Sequence, residues 1–191
     1  MNRDGCLPLQ LTNDQQESNW AQVSPDGRWV IYEHSAQGSI KTLWKISIDG
    51  GEPIRLTEKL SLRPAISPDG RWIACWQRED QPNAPWQIAI IPFEGGQAVK
   101  LFDVPQSDAD GNSNIFWTQD GRGIVYTDYR DNLTNLKFQP IDGGAPQAFT
   151  NFAKDLFYSY ALARDGRLVF ARSLTTNDVL LITDTARSSG E

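Results

Sequence analysis

The sequence predicts an all-β fold, a β-propeller built from four four-stranded blades, and three observations carry that prediction. A turn phrase centred on Asp-Gly recurs four times, a second turn phrase recurs in a different phase, and the stretches between them read as short strands with no helical period. Regularly spaced short strands would also suit a sandwich or barrel, but strands of a sandwich need not resemble one another at a fixed period.

The first phrase is Ser24-Pro25-Asp26-Gly27-Arg28-Trp29-Val30-Ile31-Tyr32, and it returns as Ser67-Pro68-Asp69-Gly70-Arg71-Trp72-Ile73-Ala74-Cys75. Looser copies are Thr118-Gln119-Asp120-Gly121-Arg122-Gly123-Ile124-Val125-Tyr126 and Ala163-Arg164-Asp165-Gly166-Arg167-Leu168-Val169-Phe170. The Asp residues at 26, 69, 120 and 165 are thus 43, 51 and 45 positions apart. Pro presets φ, Asp bonds the backbone ahead of it and Gly takes the φ > 0 position, so each phrase closes a hairpin.

The second phrase is Ile48-Asp49-Gly50-Gly51-Glu52-Pro53-Ile54-Arg55-Leu56-Thr57, with Phe93-Glu94-Gly95-Gly96 and Ile141-Asp142-Gly143-Gly144 as its later copies. Asp4-Gly5-Cys6-Leu7-Pro8-Leu9-Gln10-Leu11-Thr12 fits the same pattern. Each unit then reads as strand a before the first turn, b after it, c before the Gly-Gly turn and d ending in Leu-Thr. Strand c is expected at 41–48, 86–92, 133–139 and 178–183.

One region from 1 to 191 follows, with Asp-Gly turns at 26–27, 69–70, 120–121 and 165–166 and a polar tail at 185–191. The N-terminal strand at 7–12 is a lone d, and the last unit has a, b and c without a d. Pairing of these ends would close a four-bladed ring. The other arrangement is part of a larger propeller whose end blades expose apolar faces and favour self-association.

Composition excludes several functions. The net charge of −6 gives no general attraction to phosphate backbones or anionic lipid, so neither nucleic acid nor a membrane surface is an expected partner. No run approaches the roughly 18 apolar residues of a membrane helix, and Met1-Asn2-Arg3-Asp4-Gly5 lacks the apolar core of a secretory signal. Cys6 and Cys75 are read as unpaired thiols, with Cys75 acting as a small hydrophobe in a buried strand.

Catalytic sets are missing as well. There is no Gly-x-Ser-x-Gly elbow and no phosphate loop, and the one histidine, His34, is expected at a partly exposed strand end with no second metal ligand at suitable spacing. The chain is therefore read as non-enzymatic, with no cofactor and no metal. Asp108, Asp110 and Asn112 alternate like calcium ligands, but Ser113 and Gln119 stand where an EF-hand loop requires Gly and Glu. A solvated loop between blades is the simpler reading.

A recognition surface is expected where each strand a begins, around the mouth of the central channel. Six residues before the Asp of each turn stand Trp20, Arg63, Asn114 and Ser159, with Asn19 and Tyr158 beside them. An aromatic, an arginine and polar groups around one opening suit a peptide or small polar ligand. For Trp20 and Tyr158, packing between blades is the competing reading.

The Ser-Pro-Asp-Gly-Arg-Trp-Val and Asp-Gly-Gly-Glu-Pro-Ile-Arg-Leu-Thr segments resemble the PD40, TolB-like (WD40-like) propeller repeat over about residues 4–184. The stretch from 140 to 182 is similar to the C-terminal ends of propellers in bacterial kinases and winged-helix regulators. Thr118-Gln119 and Ala163-Arg164 depart from the family's Ser-Pro. The resemblance implies a non-catalytic module for protein or peptide binding or ligand sensing within a larger bacterial protein, with a parent that is periplasmic or extracytoplasmic. Its alternative is the gating propeller of a prolyl-oligopeptidase-like (S9) serine peptidase.

Overall fold

The computed structural model describes residues 9–13, 17–35, 39–104, 113–130, 133–152, 156–162 and 167–173. It is all-β in these residues, with three four-stranded antiparallel sheets and one further antiparallel pair. The first sheet is β1 (Glu17–Val23), β2 (Trp29–Ser35), β3 (Thr42–Ser47) and β4 (Ile54–Arg55), in that spatial order. The second is β5 (Leu60–Ile66), β6 (Trp72–Arg78), β7 (Gln87–Pro92) and β8 (Lys100–Asp103). The third is β9 (Phe116–Trp117), β10 (Gly123–Arg130), β11 (Leu133–Pro140) and β12 (Gln147–Ala148), followed by the pair β13 (Leu156–Leu162) and β14 (Leu168–Ser173).

Each sheet is a meander, so strand a lies at one edge and strand d at the other, as the turn phrases predict. At the first turn, Ser24 Oγ donates to Asp26 Oδ1 at 2.5 Å and accepts from the Trp29 amide at 3.0 Å, while Gly27 takes φ 73°. Ser67, Asp69 and Trp72 repeat this set. In the third sheet Thr118 Oγ1 replaces the serine hydroxyl, donating to Asp120 at 2.6 Å and accepting from the Gly123 amide at 3.2 Å. The departure from Ser-Pro thus leaves the hydroxyl network intact. The turn at 165–166, the strand expected at 178–183 and its pairing with the N-terminal strand lie outside the described residues. Residues 9–13 belong to no sheet.

Sheets pack face to face with their successors. Ile31, Leu43 and Leu56 of the first meet Ile73, Cys75, Ala89 and Ile91 of the second. Ala74, Trp76, Ile88 and Ile90 on the opposite face of the second meet Ile124 and Tyr126 of the third, with the Trp76 and Tyr126 rings edge to face at 6.1 Å. Val125 and Leu136 then meet Tyr160 of β13. Alternation along β6 and β7 therefore serves two seams at once. Each wholly buried Ile contributes about 1.5–3 kcal/mol relative to exposure.

Polar contacts fix the first seam. Lys45, 2% exposed, reaches Glu94 Oε2 at 2.5 Å and the Phe93 carbonyl at 3.3 Å, between the rings of Trp29 and Phe93. Gly95 sits so close to Leu56 that a β-carbon would lie 3.0 Å from its Cα and carbonyl oxygen, and the Gly96 amide donates to that oxygen.

His34 departs from expectation. It is buried, with its ring edge-on to Trp44 at 5.4 Å and its Nδ1 3.3 Å from Ser18 Oγ, because β2 continues past it to Ser35. Cys75 is fully buried, and loss of solvation pushes its thiol up to about 12, so it stays protonated. No helix among the described residues is long and apolar enough to cross a membrane.

Candidate functional site

Strands β1, β5 and β9 are the first strands of successive sheets, β1 lies beside β5, and β5 lies beside β9. Their free edges form a shared inner rim, and the turn-phrase register places Trp20, Arg63 and Asn114 on it. The structure brings these three together at one cleft of about 210 Å³, which Gln22, Pro64 and Phe116 also line. Ser159 lies in β13, where its backbone pairs with Ala171; its side chain is outside the described residues. Tyr158 is its neighbour in β13, with a side chain likewise outside what is described, and Asp108, Asp110 and Asn112, which alternate like calcium ligands, lie outside the described residues.

The backbone explains why two side chains point to one place. In β1 the register slips between Asn19, opposite Glu33, and Gln22, opposite Ile31. In β5 it slips between Leu62 and Ala65 in the same way. Two residues then face one on the partner strand, and each bulge turns its first extra residue into the left-handed region: Trp20 at φ 52° and Arg63 at φ 56°. Neither is glycine, and that region costs an L-residue roughly 1–2 kcal/mol. Such strain persists only where the surroundings enforce it, and it gathers at binding sites.

Arg63 Cζ lies 3.2 Å from the Trp20 ring centroid, a separation that only a near-parallel stack allows. Trp20 is 49% exposed while its ring packs on Arg63 of the second sheet, so it both joins two sheets and faces solvent. The Arg63 amide donates to Glu33 Oε1 at 2.6 Å, tying the second bulge to the first sheet. Loss of solvation raises the Glu33 carboxyl above its ordinary value of 4.5, opposed by the Arg63 amide, the Arg63 guanidinium and Lys41.

Asn114 is placed differently. It precedes β9 without a left-handed φ, and its carbonyl accepts from the Tyr160 hydroxyl at 2.6 Å. Trp76 Nε1 donates to the Ser113 carbonyl at 2.8 Å and Trp117 Nε1 to the Ala65 carbonyl at 2.9 Å, so the rim is pinned from both neighbouring sheets. Burial raises the Tyr160 phenol well above its ordinary value despite Thr127, and it remains a donor.

Glu33 escaped sequence reasoning. Its signal is a carboxylate inside the apolar run Trp29-Val30-Ile31-Tyr32-Glu33, where the second copy of the phrase carries Trp76. Gln22 and Phe116 gave none, because a bulge changes which residues reach the rim. Among the described residues no group of three His, Cys, Asp or Glu could hold a metal ion.

Solved structures share this architecture. TolB from Acinetobacter baumannii matches 88% of the chain at a TM-score of 0.69 and 17% identity, and a putative TolB from Agrobacterium tumefaciens matches 84% at 0.64 and 21%. The fold is a TolB-like β-propeller. The propeller sheets also match an acylaminoacyl peptidase of Pyrococcus horikoshii over 74% of the chain, at a TM-score of 0.54 and 16% identity.

No family model matches the chain. Among curated proteins it is 26% identical over 136 residues to the uncharacterized protein Atu1656 of Agrobacterium fabrum. It is 29% identical over 137 residues to the uncharacterized peptidase YuxL of Bacillus subtilis. These matches take in 68% and 63% of this chain and 46% and 20% of those proteins. The propeller chain likewise spans 41% and 55% of the two TolB chains.

Proposed function

We propose that this chain is a non-catalytic propeller segment that binds a protein or peptide at the inner rim, through Trp20, Arg63 and Asn114. One observation carries the reading: two non-glycine residues held at φ 52° and 56° by matching bulges bring an exposed indole and a guanidinium together over one cleft. A scaffold selected for stability alone would place glycine there. Selection of displayed peptides on the immobilised chain tests it. Enriched peptides are expected to lose at least tenfold in affinity on Trp20→Ala, and equal affinity on that variant would overturn the reading.

A second reading has its own support. The likeness to YuxL and to the acylaminoacyl peptidase fits the gating propeller of an S9-type serine peptidase, where the same rim would meet peptides on their way to a hydrolase. The coding sequence that flanks these residues decides between the two. An adjoining α/β-hydrolase segment favours the gate, whereas an adjoining kinase or winged-helix segment favours a sensing module within a bacterial regulator.

A further inference from the structure

We infer that the rim cleft takes a tyrosine side chain from an extended partner segment, with its ring on the open face of Trp20 and its phenol between the side-chain amides of Gln22 and Asn114. The inference deepens the peptide-binding reading and rests on it. Arg63 Cζ, 3.2 Å from the ring centroid, covers one face of the indole. Trp20 still faces solvent, so its other face and its N–H edge are what a ligand can reach. Among the described residues, Trp20 Nε1 and the side-chain amides of Gln22 and Asn114 make no hydrogen bond within the chain. The Asn114 carbonyl is taken by the Tyr160 hydroxyl, which leaves the side-chain amide uncommitted.

These groups select the ligand. An amide both donates and accepts, and so does a phenol, which a flat ring can deliver to the edge of an aromatic plane. A lysine or arginine would place a second cation on a ring whose negative face already holds the first. An aliphatic side chain of equal area would forgo the stacking preference of two rings and cover the amides without pairing them. Ile115, 2% exposed, and Phe116, packed on the Tyr160 ring at 5.1 Å, supply apolar wall. About 210 Å³ accommodates one aromatic side chain with its peptide group and no folded domain, so the segment has to be extended where it crosses the cleft.

Titration of the 191-residue chain with four acetylated, amidated Gly-X-Gly peptides tests the assignment, X being tyrosine, phenylalanine, cyclohexylalanine or lysine. Indole N–H signals report binding, with the Trp20 signal assigned from Trp20→Phe. The tyrosine peptide is expected to shift that signal and to bind about threefold or more tighter than the phenylalanine peptide. Phenylalanine should in turn exceed cyclohexylalanine by about threefold, and lysine should leave the signal in place. In the double variant Gln22→Ala, Asn114→Ala, verified as folded by circular dichroism, tyrosine should fall to the level of phenylalanine while phenylalanine binds as before. Equal binding of tyrosine and cyclohexylalanine overturns the aromatic assignment, and equal binding of tyrosine and phenylalanine by the parent overturns the phenol. If no peptide moves the Trp20 signal, the inference falls. The peptides selected by display then decide the reading beneath it, which stands if they still lose affinity on Trp20→Ala and falls if they do not.

Discussion

Glu33 sets two opposing effects on one side chain. Its carboxylate satisfies the amide of a strained bulge, yet it is buried, and burial raises its pKa above 4.5. With the folded value above the unfolded one, the group's contribution is most favourable below the unfolded pKa and declines as pH rises through the folded pKa. Glu33→Gln retains an acceptor and sheds the charge, so it is expected to be at least as stable as the parent at pH 7. The difference should close as pH is lowered beneath 4.5, which melting temperatures across that range would record. Glu33→Ala leaves the Arg63 amide unpaired and should cost about 1–3 kcal/mol in urea unfolding. A Gln variant less stable than the parent at neutral pH would show that the charge is required. Arg63 carries its own expectation: Arg63→Gly relieves roughly 1–2 kcal/mol of left-handed strain, offset by about 0.5–1 kcal/mol of glycine entropy. Its stability should stay within about 1 kcal/mol of the parent while binding at the rim is lost, whereas a loss above roughly 2 kcal/mol would make the residue structural.

At the scale of the element, the turn carboxylates titrate in the opposite sense. Asp26 is held below its ordinary 3.8 chiefly by the Ser24 hydroxyl and then by the Arg28 amide; Asp120 is held below it by Thr118 and the Arg122 amide. For Asp69 partial burial is the largest influence and works the other way, but the Ser67 hydroxyl and the amide and guanidinium of Arg71 together outweigh it. Depressed values mean stabilisation that is complete above 3.8 and lost as pH falls through the folded values. Replacing Asp26, Asp69 and Asp120 together by Asn should therefore lower the melting temperature at pH 6. The gap to the parent should narrow below pH 3.8; a gap unchanged by acid would assign the loss to something other than charge. These turns were legible in sequence because Pro, Asp and Gly each have a local mechanical role, and the strands between them followed from β-branched and aromatic runs. The bulges were not. Trp and Arg carry no preference for φ > 0, so nothing local announces the left-handed conformation that assembles the rim. Position in the repeat put Trp20, Arg63 and Asn114 on corresponding places of their sheets, and the structure gathers them at one cleft, whereas His34 was misjudged because hydropathy near a strand end does not reveal ring packing against Trp44.

Across the whole molecule, the main contacts between described sheets join neighbours in the chain, so stability should behave as a sum of sheets and the seams between them. The seam between the second and third sheets carries Trp76, Trp86, Ile88, Ile90, Ile124 and Tyr126, all buried, and it is the broadest apolar cluster among the described residues. Ile90 is a fully buried member of it, and truncation to Ala should cost about 2–5 kcal/mol. Where that loss is felt distinguishes two kinds of molecule. If seams act as nearest-neighbour couplings, Ile90→Ala should speed amide exchange in β6, β7 and β10, which border the lost contact. Strands β2 and β3, across the first seam and clasped by Lys45 and Glu94, should exchange at the parent's rate. If instead the sheets melt as one cooperative body, exchange should rise in every strand by the same factor. The second outcome would mean that contacts beyond neighbouring sheets bind the repeat together, and the rim would then be as rigid as the seams. The first would let β1, and Trp20 with it, open without disturbing the second seam, leaving the rim free to move on its own.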